Sequence, residues 1–302
     1  MRYQLRIHAM GKHPEIEIDE VKFCSIVEAR NILSAAMAVE EKYELLVSNY
    51  IELEKEVLMA TADNIICRDR NYSTFFDVRL LFNQRLVNLL TSSRLYIDQI
   101  QQHIKTCLPN NLNASESVKG FFSKEYDAHF EYQFMEALRN YVQHRGLAVH
   151  STNHSSRWTS LEEDKLMEFR IKLFTNKEEV VNDKAFKKSV SKIMPEKVEL
   201  VRASRRYIES LNDCHIQIRE LISESVSDAR EIIKGVIREY GEVNNGDCNG
   251  LMALKFEESS SHNKLIDKIS VMLDWDNVRL ELVKKNQKLK NLNKCYVSGT
   301  CS

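Results

Sequence analysis

The stretch EALRNYVQHRGLAVH, residues 136–150, marks the point where the sequence changes from a helical to an alternating pattern. Helical residues advance about 100° each, so the polar side chains here fall within one arc of roughly 140°: Glu136, Arg139, Asn140, Gln143 and His144. The opposite arc is mostly apolar: Phe134, Ala137, Leu138, Tyr141 and Val142. We therefore predict a helix that packs on its neighbours through one face. Gly146 predicts a left-handed C-terminal cap, with His144 in the last turn.

Residues that break helices are scarce throughout the chain. Only 8 Gly and 3 Pro occur among 302 residues, which favours long helices. Periodic apolar patterns predict three of them in the first half: Ser25–Thr61, Tyr72–Thr106 and Ser115–Arg145. Ser115 and Ser117 are the candidate N-caps of the third helix.

Shorter elements are predicted on both sides of these helices. Alternation in KLMEFRIKLF, residues 165–174, predicts a strand that pairs with LAVHSTNHSSRW as a hairpin. Pro195 suits the first turn of a helix, where no amide donor is needed. The other predictions, in chain order, are an extended lead-in or hairpin (2–8 and 15–23), helix (184–193), long helix (195–240), loop (241–250), a short strand (251–256) and helix (263–292).

The predicted fold class is mainly α, with long antiparallel helices and small β elements. We expect three segments: an extended lead-in (1–24), a helical bundle (25–146), and a β-hairpin with a long-helix region of unknown role (147–302).

Composition limits the classes of partner. A net charge of −1 gives no general attraction for polyanions, so RNA contact would need a local patch. Four lysines without a neighbouring acid offer one: Lys284, Lys285, Lys288 and Lys290. No apolar run approaches membrane-spanning length, so we expect no membrane contact. Seven cysteines without a CxxC pair suit reduced thiols, so we expect a cytoplasmic protein.

The polar arc of residues 136–144 suits phosphodiester chemistry. Arg139 offers a planar, charged fork that matches phosphate oxygens. A histidine such as His144 exchanges protons at physiological pH. RNA supplies its own nucleophile, the 2′-OH, so we expect neither a metal nor a cofactor. Asn140, one turn before His144, could orient the histidine or the phosphate.

RNYVQH, residues 139–144, resembles the R-x4–6-H signature of HEPN-domain ribonucleases, in which a polar residue often follows the arginine. The resemblance implies a small helical bundle that dimerises, with two motifs forming a composite, metal-independent RNA-cleaving site. It assigns Arg139 as phosphate clamp, Asn140 as accessory residue and His144 as catalytic histidine. It also implies a bacterial toxin or phage-defence effector, with a neutralising partner protein as a candidate. Residues 147–302 are not explained by it.

Other residues are candidates for the same pocket. Glu136 and Gln143 share the arc, His150 follows the helix end, and Tyr96 and Asp98 could face the groove from another helix, although a core Tyr and an exposed Asp are the favoured interpretation.

Two further motifs are candidates for independent sites. His150 and His154 are four residues apart, a metal-binding spacing on a helix, but their segment favours a hairpin. Cys214 and His215 point about 100° apart on a helix, which favours a core cysteine over a nucleophile.

Alternatives to catalysis remain open. The same Arg–His spacing occurs at 2–8, 6–13 and 145–150, although only 139–144 lies within one continuous helical pattern with an adjacent Asn. The polar arc could be a solvated face or a dimer surface that has lost catalysis. The chain would then be a helical interaction or scaffold protein, or an RNA-binding protein that does not cleave.

Overall fold

The computed structural model describes residues 1–66, 71–158, 167–257, 264–287, 289 and 292. It is 67% helical with small antiparallel sheets, which confirms the predicted mainly α fold class. Within the described ranges, no helix combines the length and hydrophobicity needed to cross a bilayer.

The helices α1 to α8 follow the chain in this order: Glu20–Ile66, Tyr72–Cys107, Ala114–Ala128, Phe130–His144, Lys177–Val180, Lys188–Ile193, Leu200–Val243 and Asp274–Asn286. The strands β1 to β7 are Arg2–Ile7, Glu15–Ile18, Ser151–Trp158, Met167–Asn176, Lys197–Glu199, Leu251–Glu257 and Lys264–Ser270. Neither α1 nor α2 contains Gly or Pro, and α7 contains no Pro, so nothing in these sequences interrupts the backbone hydrogen bonds.

Three predicted β elements are confirmed. β1 and β2 form the antiparallel lead-in hairpin, with Tyr3 opposite Ile18. The second predicted segment, 15–23, is extended only over Glu15–Ile18, because α1 already begins at Glu20. β3 and β4 form the hairpin after α4, with His154 opposite Ile171. LMALKF lies in β6.

The helix predicted over 115–145 is wrong in one respect, because it is divided at His129. This residue is extended, with φ −129° and ψ 118°, and separates α3 from α4. Arg206 of α7 donates to the His129 Nε2 atom over 2.9 Å, while Glu125 lies 3.4 Å from the same ring. The contact with Arg206 depends on α7, which local periodicity does not register.

Helix boundaries in the second half also differ from the prediction. α7 begins at Leu200 rather than at Pro195, because the strand β5 lies between them. The Glu199 carboxylate caps the helix by accepting from the amides of Val201 and Arg202, at 3.0 and 2.8 Å. Only 188–193 of the predicted helix 184–193 is an α-helix.

The helix predicted over 263–292 is confirmed only where α8 lies, over Asp274–Asn286. Its first part is wrong, because 264–270 form β7, which pairs with β6. Asn263 and most of 288–292 lie outside the described residues.

The chain divides into two compact units. Unit 1 comprises 1–41, 99–117 and 217–288, and unit 2 comprises 42–98, 118–216 and 289–302. Each unit is therefore assembled from separate stretches of the chain. The three sequential segments expected from the sequence stay a prediction.

Unit 1 contains an antiparallel sheet in the order β2-β1-β6-β7. β1 and β6 are its central strands and pair over Arg2–Ile7 and Leu251–Phe256. Within this unit α1 and α7 run antiparallel, because Lys22 pairs with Glu239 and Glu40 with Arg219.

Unit 2 contains α3 from Val118 onward, α4 to α6, and a sheet in the order β3-β4-β5. α1 and α7 are antiparallel here too, since Tyr43 bonds to Asn212 and Glu54 pairs with Arg205. α4, which carries the Arg139–His144 motif, belongs to this unit.

Candidate functional site

The helix α4 separates polar and apolar side chains as its sequence predicts. Its apolar side is buried in unit 2: Tyr132, Phe134, Met135, Ala137, Leu138 and Tyr141. On the polar side, Glu136, Arg139 and Asn140 are half-buried, while Gln143 and His144 are exposed. The motif residues therefore lie on the accessible face of a helix whose other face is fixed in a core.

Arg139 is held across this polar face by side chains of its own helix. Its Nη1 atom donates to Gln143 Oε1 over 3.0 Å, and its Nη2 atom lies 4.0 Å from Glu136 Oε2. The Nε atom is buried and has no acceptor among the described residues. Two of the expected accessory residues, Glu136 and Gln143, are thus brought to the guanidinium.

Glu136 is itself held by a residue that the sequence reasoning missed. Tyr207 of α7 donates its hydroxyl to Glu136 Oε1 over 2.6 Å. The Tyr207 side chain is fully buried, and its ring meets the Tyr132 ring edge-on with centroids 5.0 Å apart. Burial raises the pKa of Tyr207 well above its usual value, and the Glu136 charge adds to this, so the phenol stays protonated as a donor.

The end of α4 differs from the predicted cap. Gly146 is not in the left-handed region. The C-cap residue is Arg145, with φ −137°, and its amide donates to the Tyr141 carbonyl over 2.8 Å. A glycine is required here for space, since a Cβ would lie 2.5 Å from Tyr141 Oη. His144 occupies the last turn, and its ring makes no hydrogen bond to the described residues.

His150 reaches the end of α4, as expected, but on the apolar side. Its ring meets Tyr141 edge-on with centroids 6.0 Å apart, and its Nδ1 atom accepts from the Asn176 amide over 3.1 Å. Burial lowers the pKa of His150, against a smaller opposite effect of Glu179. An uncharged ring whose Nδ1 is occupied is suited to packing rather than to proton exchange at that atom.

The His150–His154 spacing does not create a metal site. β3 begins at Ser151, and residues four apart on a strand are separated by about 13 Å. His154 instead meets the Phe75 ring edge-on, with centroids 5.2 Å apart. No cluster of three or more His, Cys, Asp or Glu suited to a metal occurs in the part of the chain that the structure describes.

Tyr96 and Asp98, candidates for the same groove, have other partners. The buried Tyr96 hydroxyl lies 2.9 Å from Nδ1 of His215, whose ring stacks on Tyr43 with centroids 3.7 Å apart. Asp98 pairs with Arg94 over 2.6 Å at the surface. Both residues therefore fit the favoured interpretation of a core Tyr and an exposed Asp.

The cysteine beside His215 has the role that the helical geometry predicts. Cys214 is fully buried, and burial raises the pKa of its thiol to about 12. A thiol that stays protonated is a poor nucleophile, which confirms the core interpretation.

The basic patch is described only in part. Lys284 and Lys285 are exposed at the end of α8, in unit 1. Lys288 and Lys290 lie outside the described residues.

Comparison of the sequence with protein-family models gave no match. Comparisons with curated proteins and with solved structures likewise gave no significant match.

Proposed function

We propose that this chain is a metal-independent endoribonuclease of the HEPN type that acts as a homodimer. The observation that supports the proposal is the polar face of α4. There Arg139 is restrained by Gln143 and lies near Glu136, and His144 is exposed about one and a half turns later. The proposal assigns phosphate binding to Arg139 and proton transfer to His144, two residues of this one helix.

The proposed reaction uses the substrate's own hydroxyl. The 2′-oxygen of RNA attacks the adjacent phosphorus, the 2′-O–P bond forms, and the P–O5′ bond breaks. One proton leaves the 2′-OH and another reaches the departing 5′-oxygen, which leaves a 2′,3′-cyclic phosphate and a 5′-hydroxyl. Arg139 binds the phosphate oxygens, where negative charge increases in the transition state.

A dimer provides two histidines for the reaction, one as general base and one as general acid. A single imidazole cannot accept the 2′-OH proton and donate to the 5′-oxygen at the same time, whereas a dimer offers two copies of His144. The end of a helix also disfavours anions, because its carbonyls carry partial negative charge. Paired copies of Arg139 would offset that effect at a shared cleft, with Asn140 as a neutral hydrogen-bonding group beside it.

The test is cleavage of labelled single-stranded RNA by purified protein in EDTA, with analysis of the product ends. We expect cyclic phosphate ends, and we expect Arg139→Ala and His144→Ala each to lower the rate by about 100-fold or more. Arg6→Ala and His13→Ala are matched controls, because this pair has a similar spacing but lies outside the helix α4. Full cleavage by both motif variants would contradict the proposal, provided circular dichroism shows that they are folded.

The biological role proposed with this activity is that of a cytoplasmic toxin or phage-defence effector. An RNA-cleaving toxin arrests growth when it is expressed without a neutralising partner. We therefore expect induced expression of the wild type to stop growth and His144→Ala to be tolerated. Equal growth with the two genes, at equal protein levels, would count against this role.

The basic residues at the end of α8 are proposed to bind RNA. Lys284→Ala with Lys285→Ala should weaken RNA binding for all sequences and reduce its dependence on salt, because fewer phosphate counterions are released. An unchanged salt dependence would remove these two residues from the interface.

A second candidate, a helical interaction protein without catalysis, is favoured by apolar side chains exposed at neighbouring helix ends. They are Met59, Ile65 and Ile66 near the end of α1, and Tyr72, Phe75, Phe76 and Leu80 near the start of α2. Exposed apolar side chains in such number mark interaction surfaces. A chain that leaves RNA intact and loses self-association when Ile66 and Phe76 are changed to Glu would support this function instead.

A further inference from the structure

The contact between Glu136 and Arg139 is looser than their spacing allows. Residues three apart on a helix are neighbours, and a Glu–Arg pair at this spacing commonly forms an ion pair with hydrogen bonds. Here Nη2 and Oε2 are 4.0 Å apart, beyond hydrogen-bond distance. The Arg139 side chain is 15% exposed and that of Glu136 is 18% exposed, so weak attraction in solvent does not account for the gap.

The other carboxylate oxygen of Glu136 shows what restrains it. Oε1 accepts the 2.6 Å hydrogen bond from Tyr207, which fixes the carboxylate toward α7. Arg139 is restrained separately by Gln143, over 3.0 Å. The acid and the guanidinium are thus each held by a different neighbour.

We propose that Tyr207 is a positioning residue that keeps Glu136 from neutralising Arg139, so that the guanidinium is free to bind an RNA phosphate. This inference depends on the proposed function, because it assigns the restraint to the phosphate clamp of that site. Glu136 is then a competitor of the phosphate, and Tyr207 holds it back.

Tyr207 is well suited to this role. Its ring is fully buried and fixed against Tyr132, so its hydroxyl has little freedom to move. Burial raises the pKa of this phenol well above its usual value, so the protonated hydroxyl donates to Glu136 at neutral pH. Removal of the hydroxyl would leave Oε1 without this donor, and Arg139 is the cation that lies beside the freed carboxylate.

The test is binding rather than cleavage, on a His144→Ala background that prevents turnover. Fluorescence anisotropy with a short labelled single-stranded RNA in EDTA gives the affinity. We expect Tyr207→Phe to weaken binding about tenfold, since an ion pair with Glu136 replaces the phosphate contact. Adding Glu136→Gln to that variant should restore affinity to within about twofold, because a neutral amide cannot compete as an anion does.

Two further variants separate positioning from packing. Tyr132→Phe removes a hydroxyl from the adjacent buried ring, which has no hydrogen bond to Glu136 among the described contacts, and should leave the affinity unchanged. Glu136→Gln alone, with Tyr207 intact, should strengthen binding about twofold or more by removing the competitor. This variant keeps the test decisive even if Tyr207→Phe does not fold.

Each outcome is decisive. Unchanged affinity of Tyr207→Phe, a loss that Glu136→Gln does not restore, or weaker binding by Glu136→Gln alone would overturn the inference. An Arg139→Ala variant that binds RNA as well as its parent would overturn it too. If the protein with His144 intact does not cleave RNA but these binding effects are observed, the nuclease proposal fails and the role of Tyr207 stands.

Discussion

Gly146 and Tyr141 pack so closely that a Cβ added at Gly146 would lie 2.5 Å from the Tyr141 Oη atom. The same Cβ would lie 2.9 Å from Cζ and 3.1 Å from Cε1 of that ring. Tyr141 is 8% exposed and meets His150 edge-on, so its ring has little room to retreat. The end of α4 and the start of the hairpin are thus joined by a contact that only glycine permits.

Gly146→Ala should therefore destabilise the protein by about 1–3 kcal/mol, the cost of forcing an extra methyl group into a packed site. The matched control is Gly120→Ala in α3, where a Cβ meets nothing within 4 Å. That change should raise stability by about 0.5–1 kcal/mol, because alanine is the better helix former. Urea denaturation measures both, and equal stabilities would contradict the steric explanation.

Asn83 should be the residue that fixes the segment after α4 to α2. Its side chain is 2% exposed, its Oδ1 atom accepts from the Val149 amide over 2.9 Å, and its Nδ2 atom donates to the Arg79 carbonyl over 2.9 Å. Asn83→Ala leaves the buried Val149 amide without its acceptor, which should cost about 1–3 kcal/mol. Asn83→Asp keeps an acceptor but loses the Nδ2 donor and buries a carboxylate against the Arg79 carbonyl, so it should lose at least as much stability. In urea denaturation, a stability of Asn83→Ala equal to that of the wild type would be inconsistent with this geometry.

Two ion pairs formed by neighbouring residues of α1 should contribute very differently to the stability of the protein. Arg205 donates to both oxygens of Glu54, at 2.6 and 2.8 Å, and the two side chains are 12% and 11% exposed. Arg205→Met removes the cation from this nearly buried pair and should cost about 3 kcal/mol. Lys55→Met breaks the exposed pair with Glu52 and should have no measurable effect. Thermal denaturation measures both losses. Similar decreases in Tm for the two variants would contradict the explanation that burial sets the strength of an ion pair.

Cys107 and Cys214 should resist alkylation in the folded protein. Burial raises the pKa of each thiol to about 12, against about 8.5 for a free cysteine. Iodoacetamide at about pH 8 should modify the exposed Cys24 in the folded protein and these two only after unfolding, because the thiolate is the reactive form. Mass spectrometry of the digested protein locates the modified thiols.

The same pKa values predict how stability depends on pH. Between about pH 8.5 and 12 the unfolded chain loses thiol protons that the folded chain keeps, so stability is full below this window and falls as pH rises through it. Cys214→Ala should make the decline shallower. A decline of the same slope in that variant would show that other groups cause it.

Local pattern predicted the elements whose side chains alternate or recur regularly. The face of α4 that buries Phe134 and Leu138, and the β3–β4 hairpin, follow from neighbouring residues alone. The break at His129 does not, because its partner Arg206 is 77 residues away. The sequence of β7 wrongly predicts a helix, since the adjacent Leu265 and Ile266, both exposed, give no clean alternation and its pairing with β6 is a tertiary effect.

Only the contacts within α4 could be predicted from the sequence of the candidate site. Spacing on α4 placed Glu136 and Gln143 beside Arg139, which the structure bears out. Tyr207 could not be found this way, because it lies 71 residues from Glu136 and its own helix presents it as a core aromatic. The role of Gly146 was also missed: the sequence indicates that a glycine is needed, but not whether backbone rotation or a neighbouring ring requires it.

Because β1 pairs with β6, the sheet of unit 1 can be completed only late in the synthesis of the chain. The first strand leaves the ribosome long before residues 251–256, which complete its central position in the sheet. At about 5–20 residues per second, that interval is roughly 10–50 s. Over this time the β1 edge that later accepts β6 lacks its partner, so nascent chains should need a chaperone, or the transient cover of α1, to avoid association through that edge.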